Sequence, residues 1–326
     1  MSRRLLNKIA SVLREGRYFL LITHEDPDAD GIGSMLALGR ALINSGKDVI
    51  LLSEEPVPAP LNLLKGSDII CQRCNLRKDF DALIVLDCGK MKRMGRFHKR
   101  IKGHGILINI DHHASNDFFG DLDLVDANSS STAELVFRVI EAAGLSVDRD
   151  IAENIFAAIQ ADTGCFTYDN TTPDSLRIAA EMMSYGVRPW ELSRKIMYTC
   201  SVSRLKLLEM ALRDIEFYNE GKIGVMTLSK EMFEKAGAYR MDSEGFVDYP
   251  RFVSGVEIGV LIRQTGKDTY KFSLRSNNTV DVGRLASRFG GGGHMSAAGF
   301  ERQGPIGVLK RDLLEESNRS LDGIPN

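Results

Sequence analysis

A chain of 326 residues is long enough for about two domains of ordinary size. With 43% hydrophobic and 26% charged residues it can bury a packed core, which excludes wholesale disorder. A formal net charge of −2 excludes the overall basic surface of a long, sequence-blind duplex binder, while leaving room for a local basic patch. No stretch approaches the ~20 apolar residues of a membrane span. The basic start at Met1 runs into a mixed amphipathic segment and lacks the apolar core and cleavage site of a secretory signal. Of the five cysteines, only Cys71 and Cys74 stand at CxxC spacing, and no second Cys or His pair sits at zinc-site distance. Reduced thiols and a cytoplasmic location fit this pattern better than a disulfide framework or a zinc site.

In chain order, the first half alternates strands and helices. Tyr18 to Thr23 is a short apolar run read as a buried strand, and a helix follows from about Ile32 to Asn44, stopped by Gly46. Val49 to Leu52, Ala82 to Leu86 and Ile106 to Ile110 are three more strands. Continuous apolar strands separated by helices argue for an α/β domain with a parallel sheet covered on both faces. Helices are expected from the Ser129–Thr132 cap cluster to Gly144, from about Asp148 to Ala161, and from Thr172-Pro173 to Gly186. A long helix with few breakers, from about Pro189 to Tyr218, reads as a connector. Beyond it, Lys222 to Leu228, Val256 to Gln264 and Thr269 to Arg275 are strands, the last two joined as a hairpin around Gly266-Lys267. A helix from about Asp281 to Phe289, a glycine run and a strand near Ala298 to Glu301 complete a smaller α+β domain. The expected division is 1–188 catalytic, 189–218 connector and 219–326 substrate-binding.

The polar residues at the strand ends carry the chemistry. Thr23-His24-Glu25-Asp26-Pro27-Asp28-Ala29-Asp30-Gly31 follows the first strand, Asp87-Cys88-Gly89 the third and Asp111-His112-His113 the fourth. Ligands of open parallel sheets bind just outside the carboxyl ends of the strands. Asp162, at the end of a helix, is a fourth candidate. Any one such Asp reads equally well as a turn residue or helix cap. Three clusters together do not, because crowded carboxylates repel one another unless cations neutralise them. A divalent metal pair answers that need, and mixed carboxylate and imidazole donors suit manganese better than magnesium. Near the C-terminus, Gly290–Gly293 lets main chain approach a ligand and invites an anion nest. Six basic residues (Arg263, Lys267, Lys271, Arg275, Arg284, Arg288) against two acids (Asp268, Asp281) flank it and suggest a phosphate-attracting groove. Ser129–Thr132 and Asn170-Thr171-Thr172 read equally as cleft lining or as helix caps.

The segment from His24 through Asp28 to Asp30, the Asp87-Cys88-Gly89 turn, the Asp111-His112-His113 triplet and Asp162-Thr163-Gly164-Cys165-Phe166 resemble the four motifs of the DHH phosphoesterases. Phe289 to Gly299, with Gly290–Gly293 and His294, resembles the signature of the DHH-associated C-terminal domain. Taken in order over residues 24 to 299, the set is most similar to the oligoribonuclease and pAp phosphatase subfamily. The resemblance implies two Mn2+, with Mg2+ or Co2+ as substitutes. His24 and Asp28 would bind one ion, Asp30, His112 and Asp162 the other, and Asp87 both. Four carboxylates against two divalent cations leave the centre close to neutral. His113 would then meet the substrate phosphate and Asp111 orient a neighbouring group, in a two-metal hydrolysis with water attacking phosphorus in line with the leaving oxygen. Arg275, Gly292, Gly293 and His294 would hold the nucleotide.

The implied partners are short single-stranded RNA or small nucleotide phosphates, with no long duplex and no membrane. A homodimer is left open. Two alternatives share the superfamily motifs, a cyclic- or linear-dinucleotide hydrolase and a manganese inorganic pyrophosphatase. The glycine-rich loop argues against the second. A non-catalytic nucleotide- or RNA-binding module is the alternative from another class, and the complete set of six ligands argues against it.

Overall fold

The computed structural model describes residues 2–73, 79–99, 105–196, 200–277 and 280–322. The chain divides into two compact units, Met1–Thr199 and Cys200–Asn326.

The first unit is α/β. Its elements are α1 (Arg3–Glu15), β1 (Tyr18–Ile22), α2 (Ala29–Asn44), β2 (Asp48–Leu52), β3 (Ala82–Leu86), β4 (Ile106–Asp111), β5 (Leu122–Val125), α3 (Thr132–Ala143), α4 (Arg149–Asp162), α5 (Pro173–Ser184) and α6 (Pro189–Ile196). The strands form one parallel sheet in the order β2-β1-β3-β4-β5. Both faces are buried, as the continuous apolar runs require. Phe19, Leu21, Ile84, Ile108 and Ile110 join the larger core with α1 to α4, while Leu20, Ile22, Leu83 and Val85 pack on the other side with Met94 and Phe97. The order places β2 on one side of β1 and β3 on the other. The chain therefore changes direction between β1 and β3, the switch point at which such sheets bind ligands.

The mixed amphipathic start is helix α1, burying Ile9, Ala10 and Leu13. Helix α2 meets α4 at close range through Gly33. A Cβ there would stand 2.6 Å from the main-chain oxygen of Asn154 and 2.9 Å from Cβ of Ala158. Main chain cannot swing aside, so Gly33→Val is expected to destabilise the first unit by about 1–3 kcal/mol, the usual cost of overpacking. Denaturant unfolding of the variant, monitored by circular dichroism, measures it, and an unchanged midpoint would contradict the close approach.

The second unit contains α7 (Val202–Arg213), β6 (Glu216–Tyr218), β7 (Ile223–Leu228), α8 (Lys230–Ala236), α9 (Asp248–Arg251), β8 (Ile258–Gly266), β9 (Thr269–Ser276), α10 (Val282–Ser287), β10 (Gly292–Gly293), β11 (Ala297–Gln303) and α11 (Ile306–Asp322). Its mixed sheet runs β10-β11-β9-β8-β7-β6, with β7 and β8 parallel and the other pairs antiparallel. The hairpin expected around Gly266-Lys267 joins β8 to β9. Leu285 of α10 and Leu309 and Leu313 of α11 cover one face of the sheet, and Leu207 of α7 and Ala236 of α8 the other.

The described residues of the stretch 189–218, expected as one helix, instead form two helices and a strand. Ser201 explains the restart. Its hydroxyl accepts the Arg204 N–H at 2.9 Å, so α7 begins with its own cap. Cys71 donates its thiol to the Leu51 carbonyl at 3.3 Å, and Cys74 lies outside the described residues. No helix among the described residues is long and apolar enough to cross a membrane.

Candidate active site

The ends of β1, β3 and β4 bring the expected polar residues together. His24 follows β1. Asp28 caps α2, its Oδ1 accepting the N–H groups of Asp30 and Gly31 at 3.1 Å each. Asp87 follows β3 in a left-handed conformation with φ 55°, held there by its N–H to the Ile110 carbonyl at 3.0 Å. Such a conformation in a non-glycine residue costs free energy and is found where a side chain must be aimed. Asp111 ends β4, with His112 and His113 next, and Asp162 ends α4.

Three sets of side chains converge: His24 with Asp28 and Asp87, Asp30 with His112 and Asp162, and Asp87 with His112 and His113. Within each, the donor atoms lie within 4.8 Å of one another. Nε2 of His24 is 3.4 Å from Oδ2 of Asp87 and 3.8 Å from Oδ1 of Asp28. Nε2 of His112 is 3.5 Å from Oδ2 of Asp162, and 3.8 Å from both Oδ2 of Asp30 and Oδ1 of Asp87. These separations are long for hydrogen bonds and suit donors arranged around a shared ion. The two oxygens of Asp87 thus face different histidines.

Nδ1 of His24 is 2.6 Å from the Glu25 carbonyl, and Nδ1 of His112 is 3.3 Å from the Ser129 carbonyl. A carbonyl only accepts, so Nδ1 donates and Nε2 is the nitrogen turned toward the acids, the arrangement a metal-binding histidine needs. Arg93, with Nη2 3.1 Å from Nδ1 of His24, adds a half-buried cation beside that ring.

The electrostatics follow from crowding acids into a buried space. Burial pushes Asp162 up to about 8, with Asp87 and Asp28 adding to it. Burial likewise drives Asp30 well above the carboxylate range, reinforced by Asp87 and Asp162. For His24 burial works downward, yet Asp28 and Asp87 outweigh it and hold the ring up to about 10. The four carboxylates and two inward imidazole nitrogens thus form a donor set suited to divalent cations.

Asp111 is fully buried and accepts from Nδ1 of His113 at 2.7 Å and from Nδ2 of Asn116 at 2.6 Å. Asn116 also donates to Oδ1 of Asn109 at 2.8 Å. For His113 burial again works downward, but Asp111 and Asp87 raise it to about 9. Asp111 thus fixes the ring's orientation through its Nδ1. Asn109, Asn116 and Arg93 were not singled out by sequence reasoning as working parts of the site, and Thr132 stood only within a cluster open to two readings. Asn109 carried a signal, as the one polar residue within the apolar run Ile106 to Ile110.

The hydroxyl clusters divide between the two readings open for them. Ser131 caps α3 by accepting the Glu134 N–H, and Thr172 forms a reciprocal cap with Ser175. Thr132 reaches the cluster, donating its hydroxyl to Oδ1 of Asp87 at 3.1 Å. Asn170 braces Asp162, donating to its carbonyl at 3.1 Å and to the Ser130 carbonyl at 3.0 Å.

In the second unit, sheet register gathers Arg275, Gly292, Gly293 and His294 at one end. Ala297 pairs with Arg275 and Ala298 with Gly293, and the His294 N–H donates to the Ala297 carbonyl at 2.7 Å. The glycine run is not the open anion nest expected. Gly290 and Gly291 donate back to Ser287 and Ala286 of α10, and Gly292–Gly293 is strand β10. The basic run splits as well. Arg263, Lys271 and Arg275 line one cavity with Arg240, while Arg284 and Arg288 pair with Asp281 and Glu316.

The family profile described as "DHH family, N-terminal domain" matches residues 19–159, and the "DHHA1 domain" profile matches 222–318. The chain is 34% identical to the bifunctional oligoribonuclease and PAP phosphatase NrnA of Thermus thermophilus, over 97% of this chain and 92% of that protein. It is 26% identical to the protein of the same name from Bacillus subtilis, over 86% and 88%. Among solved structures, an exopolyphosphatase-related protein from Bacteroides fragilis superposes with a TM-score of 0.91 at 28% identity, covering 98% of this chain and 96% of that one.

Proposed function

Because the chain belongs to the DHH family of phosphoesterases, with a DHHA1 domain following in sequence, we propose that it hydrolyses short oligoribonucleotides and dinucleotides to mononucleotides. Removal of the 3'-phosphate of pAp would be a second reaction of the same centre. The observation that carries this reading is Asp87, whose two oxygens face two separate histidine and aspartate sets. Similarity to two oligoribonuclease and PAP phosphatase proteins along most of the chain supports the substrate class.

In this reading His24 and Asp28 hold one divalent cation, Asp30, His112 and Asp162 hold the other, and Asp87 serves both. Two Mn2+ are the proposed ions. Bound there, the cations would supply positive charge for the phosphoryl oxygens and lower the pKa of water. The reaction is attack of water on phosphorus with departure of the opposite ester oxygen. His113, fixed through Nδ1 by Asp111, donates a hydrogen bond to the phosphoryl group as its charge grows. Asn116 holds the other oxygen of Asp111 and so keeps that ring from turning. A cytoplasmic location belongs to the same proposal.

The test is a product time course on RNAs of graded short length beside pAp, cyclic dinucleotides and pyrophosphate, with manganese present. Mononucleotides released from the shortest RNAs, and AMP from pAp, are the expected products. Turnover of pyrophosphate or cyclic dinucleotides alone would overturn the reading.

The proposed contacts of the second unit give a separate expectation. If Arg275, Gly292, Gly293 and His294 hold the nucleotide, His294→Ala lowers kcat/KM for a dinucleotide by about 10- to 100-fold, the loss of one hydrogen bond to a charged group. Part of the loss appears in kcat, since substrate-binding energy is also used for alignment. Hydrolysis of bis-p-nitrophenyl phosphate, too small to use those contacts, should hardly change. Equal losses on both substrates would mean that His294 only supports its turn.

A further inference from the structure

Thr132 is fully buried and stands at the first position of α3. Its hydroxyl has no capping duty, because Ser131 already caps that helix through the Glu134 N–H. The hydroxyl instead donates to Oδ1 of Asp87 at 3.1 Å. The main-chain N–H of the same residue donates to Oδ2 of Asp30 at 2.6 Å. Those are the two oxygens that face Nε2 of His112, each at 3.8 Å. One residue therefore holds two carboxylates in place on the His112 side of the cluster. The other oxygen of Asp87 is turned to His24, 3.4 Å from its Nε2.

We infer that Thr132 is the positioning residue of the His112 half-site, setting the plane of the Asp87 carboxylate so that its two oxygens serve two different ions. The inference rests on the proposed reading of Asp30, Asp87 and His112 as cation ligands. The two contacts of Thr132 separate cleanly by mutation. Any residue except proline supplies the N–H to Asp30, but at this size only serine or threonine supplies the hydroxyl. Thr132→Val keeps the shape and removes the O–H alone, leaving Oδ1 of Asp87 without that donor and its carboxylate free to rotate. Groups that orient metal ligands commonly contribute 10- to 100-fold in affinity, so a change of about that size is expected here for one ion and not for the other.

The experiment is a manganese titration of wild type, Thr132→Val and Thr132→Ser, followed by electron paramagnetic resonance. Circular dichroism in chelator serves as the check of fold. Wild type should bind two ions and develop the signature of a spin-coupled pair. Thr132→Val should bind one ion with near wild-type affinity and the second about 10- to 100-fold more weakly, showing the six-line spectrum of an isolated ion over that range. Thr132→Ser should restore the pair. Should valine not fold, Thr132→Ala carries the same readout. Two ions bound with wild-type affinity by the folded variant overturn the inference and leave the metal reading standing. Fewer than two ions on wild type overturn the metal reading and this inference with it.

Discussion

Replacing Asp87 by asparagine is expected to cut turnover by at least about 100-fold while the protein stays folded. Loss of one well-placed electrostatic contact commonly costs 10²–10³ in rate, and Asp87 makes two such contacts. Oδ2 lies 3.4 Å from Nε2 of His24, and Oδ1 lies 3.8 Å from Nε2 of His112. Asparagine matches the shape and can still accept the Thr132 hydroxyl. However, it removes one negative charge, and one of its two ends becomes an NH2 that cannot ligate a cation. One half of the cluster must therefore lose its shared ligand whichever way the amide turns. No other residue among the six faces both histidines, so the same change at Asp28 or Asp162 should cost less. Steady-state rates on a dinucleotide with manganese, together with the circular dichroism spectrum, measure this. Near-normal turnover would show that Asp87 is not shared.

The strands that position this site were legible because they are buried on both faces. Leu21 and Ile84 enter one core while their neighbours Leu20 and Val85 enter the other, which forces the unbroken apolar runs seen in the sequence. Strand β5 was not, since an edge strand reading Leu122-Asp123-Leu124-Val125 alternates over only four residues. The break at Ser201 was hidden for a related reason. Periodicity reports which residues suit a helix, whereas a cap reports where one starts, and the cap lies in a stretch that otherwise suits a helix throughout. At the site, the side chains that meet one another were visible as clusters at strand ends. The groups that hold them were not. Asn116 lies on another segment with no signal, and Thr132 stood in a cluster that read equally as a cap, so nothing in their spacing says that one fixes Asp111 and the other Asp87. The glycine run misled for the opposite reason. Glycine permits an anion nest, but it equally permits the crowded pairing of β10 with β11, where a Cβ on Gly293 would come within 2.4 Å of the Ala297 carbonyl oxygen.

Stripping the protein of divalent cations is expected to end hydrolysis and to lower the melting temperature, and manganese should restore both better than magnesium or calcium. The reason is the balance of charge in a confined space. Asp30 and Asp87 are almost fully buried, and Asp162 is pushed up to about 8 by that burial and by its acidic neighbours. Cations that neutralise those acids bind the folded chain and not the unfolded one, in which the ligands are scattered from His24 to Asp162. At a concentration of 100 times its dissociation constant, one such ion adds about 2.7 kcal/mol to stability. Spread over a unit of about 200 residues, that corresponds to a rise of roughly 5–10 °C in Tm. The order of the ions follows from the donors. Magnesium demands oxygen ligands in near-ideal octahedral geometry, and calcium prefers six to eight oxygens, whereas manganese accepts the imidazole nitrogens of His24 and His112 beside carboxylates. Thermal melts and rates on one preparation, first in chelator and then with each ion added back, provide the measurement. Full turnover in excess chelator would remove the cations from the reaction. An unmoved melting temperature with manganese at saturating concentration would remove them from this cluster.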